Sequence, residues 1–128
     1  HYGKLKGEGR ALEMISKYKP KAAIIVALMP LDQTPMEHVA PSPPSDITRV
    51  ILAARFMMPK TPLMLGCARP GGEHRAKTDV LAIKAGVSGI AYPSEEGYSF
   101  AKDAGLNVRF SEECCALIYR DLVKPAGT

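Results

Sequence analysis

The sequence predicts an α/β fold built of parallel βα units. Three observations carry this. Near-continuous apolar runs at residues 22–29, 63–67 and 87–92 read as short strands covered on both faces. Amphipathic segments with apolar residues at helical spacing lie between them. Alternation of this kind means parallel strands joined by right-handed crossovers. Three or four strands do not close a barrel, which needs about eight. The 128 residues therefore read as either a small open sheet or part of a barrel.

The elements follow in order. Residues 1–3 read as a strand end or the loop after it. A helix is expected over 7–19, with Leu12, Ile15 and Met14 as its apolar stripe and Pro20 as its stop. The first strand run ends at Pro30. A proline-rich loop follows to residue 44, and loops of that length usually carry function or are disordered. Ser45 or Asp46 is expected to cap the next helix. Ile47, Val50, Ile51, Ala54 and Met58 form its buried stripe, and Pro59 ends it.

The second strand, 63–67, leads through a glycine loop to a helix over 74–85, closed by Gly86. After the third strand, Ser94 supplies a hydroxyl cap, and Glu95 and Glu96 suit the first turn of a helix that Gly105 ends. Residues 107–110 are expected to form a fourth short strand. Residues 112–123 are expected to form a last helix.

Composition narrows the class. Hydrophobic residues make up 46% and charged residues 23%, as in an ordinary globular domain. The net charge of +4 is scattered and not clustered with aromatics, so no nucleic-acid partner is expected. No apolar run approaches the ~20 residues of a membrane span, and no signal peptide is visible. Three cysteines without zinc-finger spacing argue against a disulfide framework and for a reducing, cytoplasmic setting. A start at His1, within what looks like an element boundary, suggests a piece of a longer protein.

Chemistry is expected at the carboxyl ends of the strands, where parallel α/β proteins place it. The stretch from Pro62 to Glu73 passes from an apolar run into Cys67, Arg69, Gly71, Gly72 and Glu73. Arg69 reads as a clamp for a carboxylate or phosphate, or else as an ion-pair partner of Glu73. Cys67 reads first as a small buried apolar residue, with iron ligation or thiol chemistry as the alternative. Cys114 and Cys115 read as packing residues. No lysine ends a predicted strand, which counts against a Schiff-base aldolase. Neither Gly-x-Gly-x-x-Gly nor a P-loop is present.

Three blocks carry a resemblance that covers about two-thirds of the chain. Ala27-Leu28-Met29-Pro30-Leu31-Asp32-Gln33-Thr34-Pro35-Met36 resembles the strand-and-loop block ending in Gly-Thr-Pro-Leu of biotin synthases. Ile51 to Pro59, with its Ala-Arg and Met-Met-Pro, resembles the following helix. Leu65-Gly66-Cys67-Ala68-Arg69 resembles Leu-Ser-Ala-Gly-Arg, and Ala85 to Ile90 resembles the next strand entry. The chain is thus similar to the C-terminal half of a radical S-adenosylmethionine (SAM) barrel of the biotin synthase type.

That resemblance implies parallel βα units forming part of a TIM-type (β/α) barrel, a single partial domain over 1–128, and a sulfur-inserting enzyme. Reductive cleavage of SAM at a 4Fe-4S cluster gives a 5′-deoxyadenosyl radical that takes a hydrogen from the substrate. It further implies that Met29, Pro30 and Leu31 pack against SAM, and that Thr34, Arg69 and Glu73 face the substrate or an auxiliary cluster. The expected substrate is a small molecule or an acyl carrier, with a second protein subunit as a further partner. No metal ligand is assigned in this chain. The family's Cys-x3-Cys-x2-Cys motif is absent, which fits a missing N-terminal, cluster-binding half and an inactive fragment. Met64 stands where biotin synthases carry an arginine ligand of their second cluster. The Gly-Cys-Ala-Arg-Pro-Gly-Gly-Glu variant looks more like relatives such as the two-protein lipoyl synthases. The alternative function is a non-catalytic α/β subunit that binds substrate or a partner.

Overall fold

The apolar runs do pair side by side. In the computed structural model, which describes residues 2–122, the order is α1 (Glu8–Ser16), β1 (Ala23–Ile25), α2 (Pro44–Met57), β2 (Leu63–Leu65), α3 (Gly72–Lys84), β3 (Gly89–Ile90), α4 (Glu95–Asp103) and α5 (Tyr119–Leu122). The sheet has three parallel strands in the order β1-β2-β3. Ile24 lies opposite Met64, and Met64 opposite Gly89. These are adjacent parallel βα units, as expected from the alternation of runs.

One face of the sheet carries the core. Leu12 of α1, Ile47, Ile51 and Ala54 of α2 and Ala82 of α3 pack with Leu63 and Leu65, joined by Ala23, Ile25 and Ile90. Strand side chains alternate between faces, so Ile24, Val26 and Met64 point the other way. Ile24 and Val26 are exposed, whereas Met64 is fully buried. Ile118 helps to cover that second face. A methyl group placed on Gly89 would come within 3.5 Å of Ile118 Cγ2 and 2.5 Å of Met64 Cε. The glycine leaves room there for the end of the Met64 thioether, which a Cβ would displace, while Ile118 would stay in ordinary contact.

Arg55 ties the amino end of the sheet together. Its guanidinium donates to the carbonyls of Pro59, Thr61 and Gly86 and to Ser88 Oγ, joining the end of α2 to the entries of β2 and β3. Gly86 adopts a φ of 83° and closes α3, as its place in the sequence predicts.

Several local expectations are corrected. α2 begins at Pro44 with Pro43 at its N-cap and no side-chain cap, because proline suits the first helical turn. Asp46 pairs with Arg49 instead of capping. In α1 only Leu12 is buried, while Met14 and Ile15 are exposed. Residues 107–110 form no strand: their polar and apolar residues alternate, but Phe110 lies outside against the Tyr98 ring, with centroids 5.8 Å apart, and no apolar face of the segment is buried. The expected last helix shrinks to α5, preceded by a turn in which Leu117 and Ile118 donate to the Cys114 carbonyl. His1 and Val123 lie outside the described residues.

Candidate functional site

The carboxyl ends of β1, β2 and β3 lie side by side because the strands are parallel and in register. Three loops therefore meet there: the long loop after β1, the glycine loop after β2, and the short turn from β3 into α4. Arg69 sits at their junction, and it is wholly buried. Its Nε and Nη2 donate to Asp79 Oδ1 and Oδ2 at 3.0 and 3.2 Å. Its Nη1 donates to the carbonyls of Gly66 and Ala91 at 2.6 and 2.8 Å, and Nη2 to that of Tyr92 at 3.1 Å.

A guanidinium has five N–H donors, and these contacts use them all. The expectation that Arg69 contacts substrate is therefore corrected: it pins the end of β2 to the end of β3 and to α3. The alternative pairing with Glu73 is corrected too. Glu73 lies on the surface at the start of α3 and pairs with Lys77 at 2.7 Å, and that lysine holds its carboxyl below the usual value.

Asp79 extends the pin into α4. Its Oδ2 accepts from the backbone N–H of Ser94 at 2.7 Å, and Ser94 Oγ in turn accepts from Gly97 N–H as the predicted cap. Gly97 is the contact point of α4 on α3, since a Cβ there would meet Asp79 Cβ at 2.8 Å. Gly97→Ala is therefore expected to destabilise the chain by about 1–3 kcal/mol, the scale of overpacking a tight contact. Urea unfolding measures this, and Gly105→Ala cannot serve as the control because Gly105 has a φ of 73°. Gly9→Ala can, since nothing lies within 4 Å of a Cβ there and α1 favours alanine.

The other expected contact residues are placed as follows. Met29 and Leu31 are exposed beyond β1, with Pro30 half-buried between them. Thr34 Oγ1 donates to the Leu31 carbonyl at 2.7 Å, closing a turn that holds this stretch, and Gln33 beside it adopts a φ of 61°. The same loop is fastened to α3 by His74, whose Nε2 lies 2.8 Å from the Ser42 carbonyl. No hydrogen bond joins Thr34 to Glu73.

Cys67 is exposed, not buried as expected, because the backbone has left the strand by that point. Cys115, in the turn before α5, is half-buried. Burial pushes that thiol up from its ordinary value; the neighbouring thiols act the same way, and the Cys67 N–H opposes them.

Sequence reasoning missed one member of this end of the sheet. Asp79 was legible in principle: it falls on the buried stripe with Thr78 and Ala82, and a carboxylate there calls for a buried cation.

The family described as the Biotin and Thiamin Synthesis associated domain matches residues 25–113, which include β2, β3, the last residue of β1 and the loops at the carboxyl ends of the strands. The chain belongs to this family. Its relatives include the biotin synthase of Cenarchaeum symbiosum (strain A), 30% identical over 91 residues that cover 69% of this chain and 27% of that protein. The biotin synthase of Synechococcus sp. (strain CC9605) is 26% identical over 107 residues, covering 76% of this chain and 32% of that protein. The biotin synthase of Zymomonas mobilis is 32% identical over 73 residues, covering 57% and 21%. The chain thus spans a third or less of the length of these relatives. No solved structure matches the chain.

Proposed function

We propose that this chain is the C-terminal portion of a radical SAM enzyme that inserts sulfur at unactivated carbon. The observation that carries this is the family match over residues 25–113, supported by relatives named biotin synthase. In this reading the three βα units are part of a (β/α) barrel wall, and the carboxyl ends of their strands face its mouth. Met29, Pro30 and Leu31 offer an apolar surface against the SAM adenine or ribose. Thr34 and Glu73 face the substrate, a small molecule or an acyl carrier, and a second protein subunit completes the system. Arg69 holds the loops that carry these groups.

The 4Fe-4S cluster does not fit the residues of this chain. Among the described residues no group of three or more His, Cys, Asp or Glu is placed to hold a metal ion. The sequence has three cysteines, and none follow cluster spacing. The cluster ligands belong to another part of the whole enzyme. Met64, buried and apolar, stands where biotin synthases have a cluster-ligating arginine, which favours a reaction of the two-protein lipoyl synthase kind over biotin formation. No helix among the described residues is long and apolar enough to cross a membrane.

The test uses both the chain and the whole enzyme. After reconstitution with iron and sulfide, the 128-residue chain is expected to show no 4Fe-4S absorption and no release of 5′-deoxyadenosine from SAM. The whole enzyme is expected to do both, and Met29→Asp in it should raise the KM for SAM. Failure of the whole enzyme to cleave SAM would overturn the proposal.

A further inference from the structure

Tyr92 holds a conformation that a tyrosine ordinarily avoids. Its φ is 49°, in the left-handed region that favours glycine. It also precedes Pro93, and a residue before proline is pushed towards extended backbone. Lys19 shares both features, but it lies just past α1, where left-handed residues commonly close helices. Tyr92 closes no helix. It lies just beyond β3, at the end of the sheet where the three loops meet.

The surroundings leave its backbone no choice. The Ala91 N–H donates to the Leu65 carbonyl at 2.9 Å, which fixes the chain before it. Arg69 Nη1 and Nη2 donate to the carbonyls of Ala91 and Tyr92 at 2.8 and 3.1 Å. Asp79 Oδ2 accepts from the Ser94 N–H at 2.7 Å, which fixes the chain after it. One buried ion pair thus grips both sides of Tyr92. Strain of this kind persists only where the structure around it over-determines it, and such places cluster at ligand sites. The ring itself adds little to the fold, since Tyr92 is 77% exposed. A glycine would meet the demand of the backbone without strain. What the tyrosine supplies beyond a glycine is an exposed ring at the strand end.

We propose that Tyr92 is a specificity-determining residue whose ring packs against the saturated carbon chain of the substrate. This rests on the sulfur-insertion reading. An unactivated carbon carries no hydrogen-bonding group, so the protein holds it only through apolar contact. In that reading Met29, Pro30 and Leu31 lie against SAM, while Thr34 and Glu73 are polar. The Tyr92 ring adds an apolar surface for the reacting chain, and an aromatic ring buries a large area. A backbone fixed from both sides also holds the ring in place before the ligand arrives, which lowers the ordering cost of binding.

The test compares Tyr92→Gly, Tyr92→Ala and Tyr92→Phe in the whole enzyme. Hexanamide serves as the probe for a saturated chain and acetamide as its short control, with binding followed by saturation-transfer NMR. The wild type is expected to prefer hexanamide, and Tyr92→Phe should keep that preference. Tyr92→Gly and Tyr92→Ala should weaken hexanamide binding roughly tenfold, the scale of one lost apolar contact, and leave acetamide as it is. Thermal melting is the second readout. Tyr92→Gly should melt no lower than the wild type and above Tyr92→Ala, because glycine relieves the left-handed strain and alanine does not. A ring that serves only the fold predicts the reverse, with the glycine variant melting lowest. No preference for hexanamide in the wild type, unchanged hexanamide binding in Tyr92→Gly, or a glycine variant that melts below the alanine variant would each end the proposal. If these results hold but the whole enzyme fails to cleave SAM, the sulfur-insertion reading falls and Tyr92 stands as a contact for saturated chains. Normal SAM cleavage with hexanamide binding unchanged in Tyr92→Gly sinks the Tyr92 proposal alone.

Discussion

Asp79→Ala is expected to destabilise the chain by about 3–5 kcal/mol, the cost of leaving a buried partner charge uncompensated. The guanidinium of Arg69 and the carboxylate of Asp79 are both fully buried. Removing the carboxylate strands the cation among the carbonyls of Gly66, Ala91 and Tyr92. It also strips the Ser94 N–H of its acceptor, loosening the start of α4. A domain of this size has only about 5–15 kcal/mol of stability. Urea unfolding should show the loss as a lower midpoint, and a change within 1 kcal/mol would contradict a buried, fully used ion pair.

The companion variant separates structure from ligand binding. Arg69→Lys keeps the charge but has no planar fork, so it loses contacts to Asp79 and to the strand ends together. A marked fall in melting temperature is expected. Arg69→Met with Asp79→Leu removes both charges. That pair should recover part of the loss of either single charge removal, because well-packed apolar residues often replace a buried ion pair at little cost. The interaction energy from the double-mutant cycle measures the coupling directly.

How much could be read from the chain follows from the range of each interaction. The strands were legible because burial on both faces leaves only apolar residues in Leu63, Met64 and Leu65, all wholly buried. Ser94 was legible as a cap because a hydroxyl three residues from its donor is a local arrangement. Arg69 was legible as a special residue but not in its role. Its position at a strand end fits a ligand clamp and a structural pin equally, and what decides is Asp79, one α-helix away. Residues 107–110 alternate polar and apolar but form no strand, because the fold leaves Phe110 exposed and buries no face of so short a segment.

Ile51→Ala tests the other support of the site, the helix layer under the sheet. Ile51 is fully buried in α2, among Leu12 of α1, Ala82 of α3 and the β2 residues Leu63 and Leu65. Truncation removes the transfer free energy of three carbons and leaves a cavity that rigid neighbours only partly fill. The expected loss is about 2–5 kcal/mol, against about 0.5–1.5 kcal/mol for Ile51→Val. Leu52, the next residue, is 41% exposed, so Leu52→Ala should stay within about 0.5 kcal/mol of wild type. The urea dependence should keep its slope while the midpoint moves, since the surface exposed on unfolding barely changes. Equal losses at positions 51 and 52 would mean that α2 does not turn its Ile51 face to the sheet. The loops at the strand ends would then lose the layer that holds β2 in place beneath them.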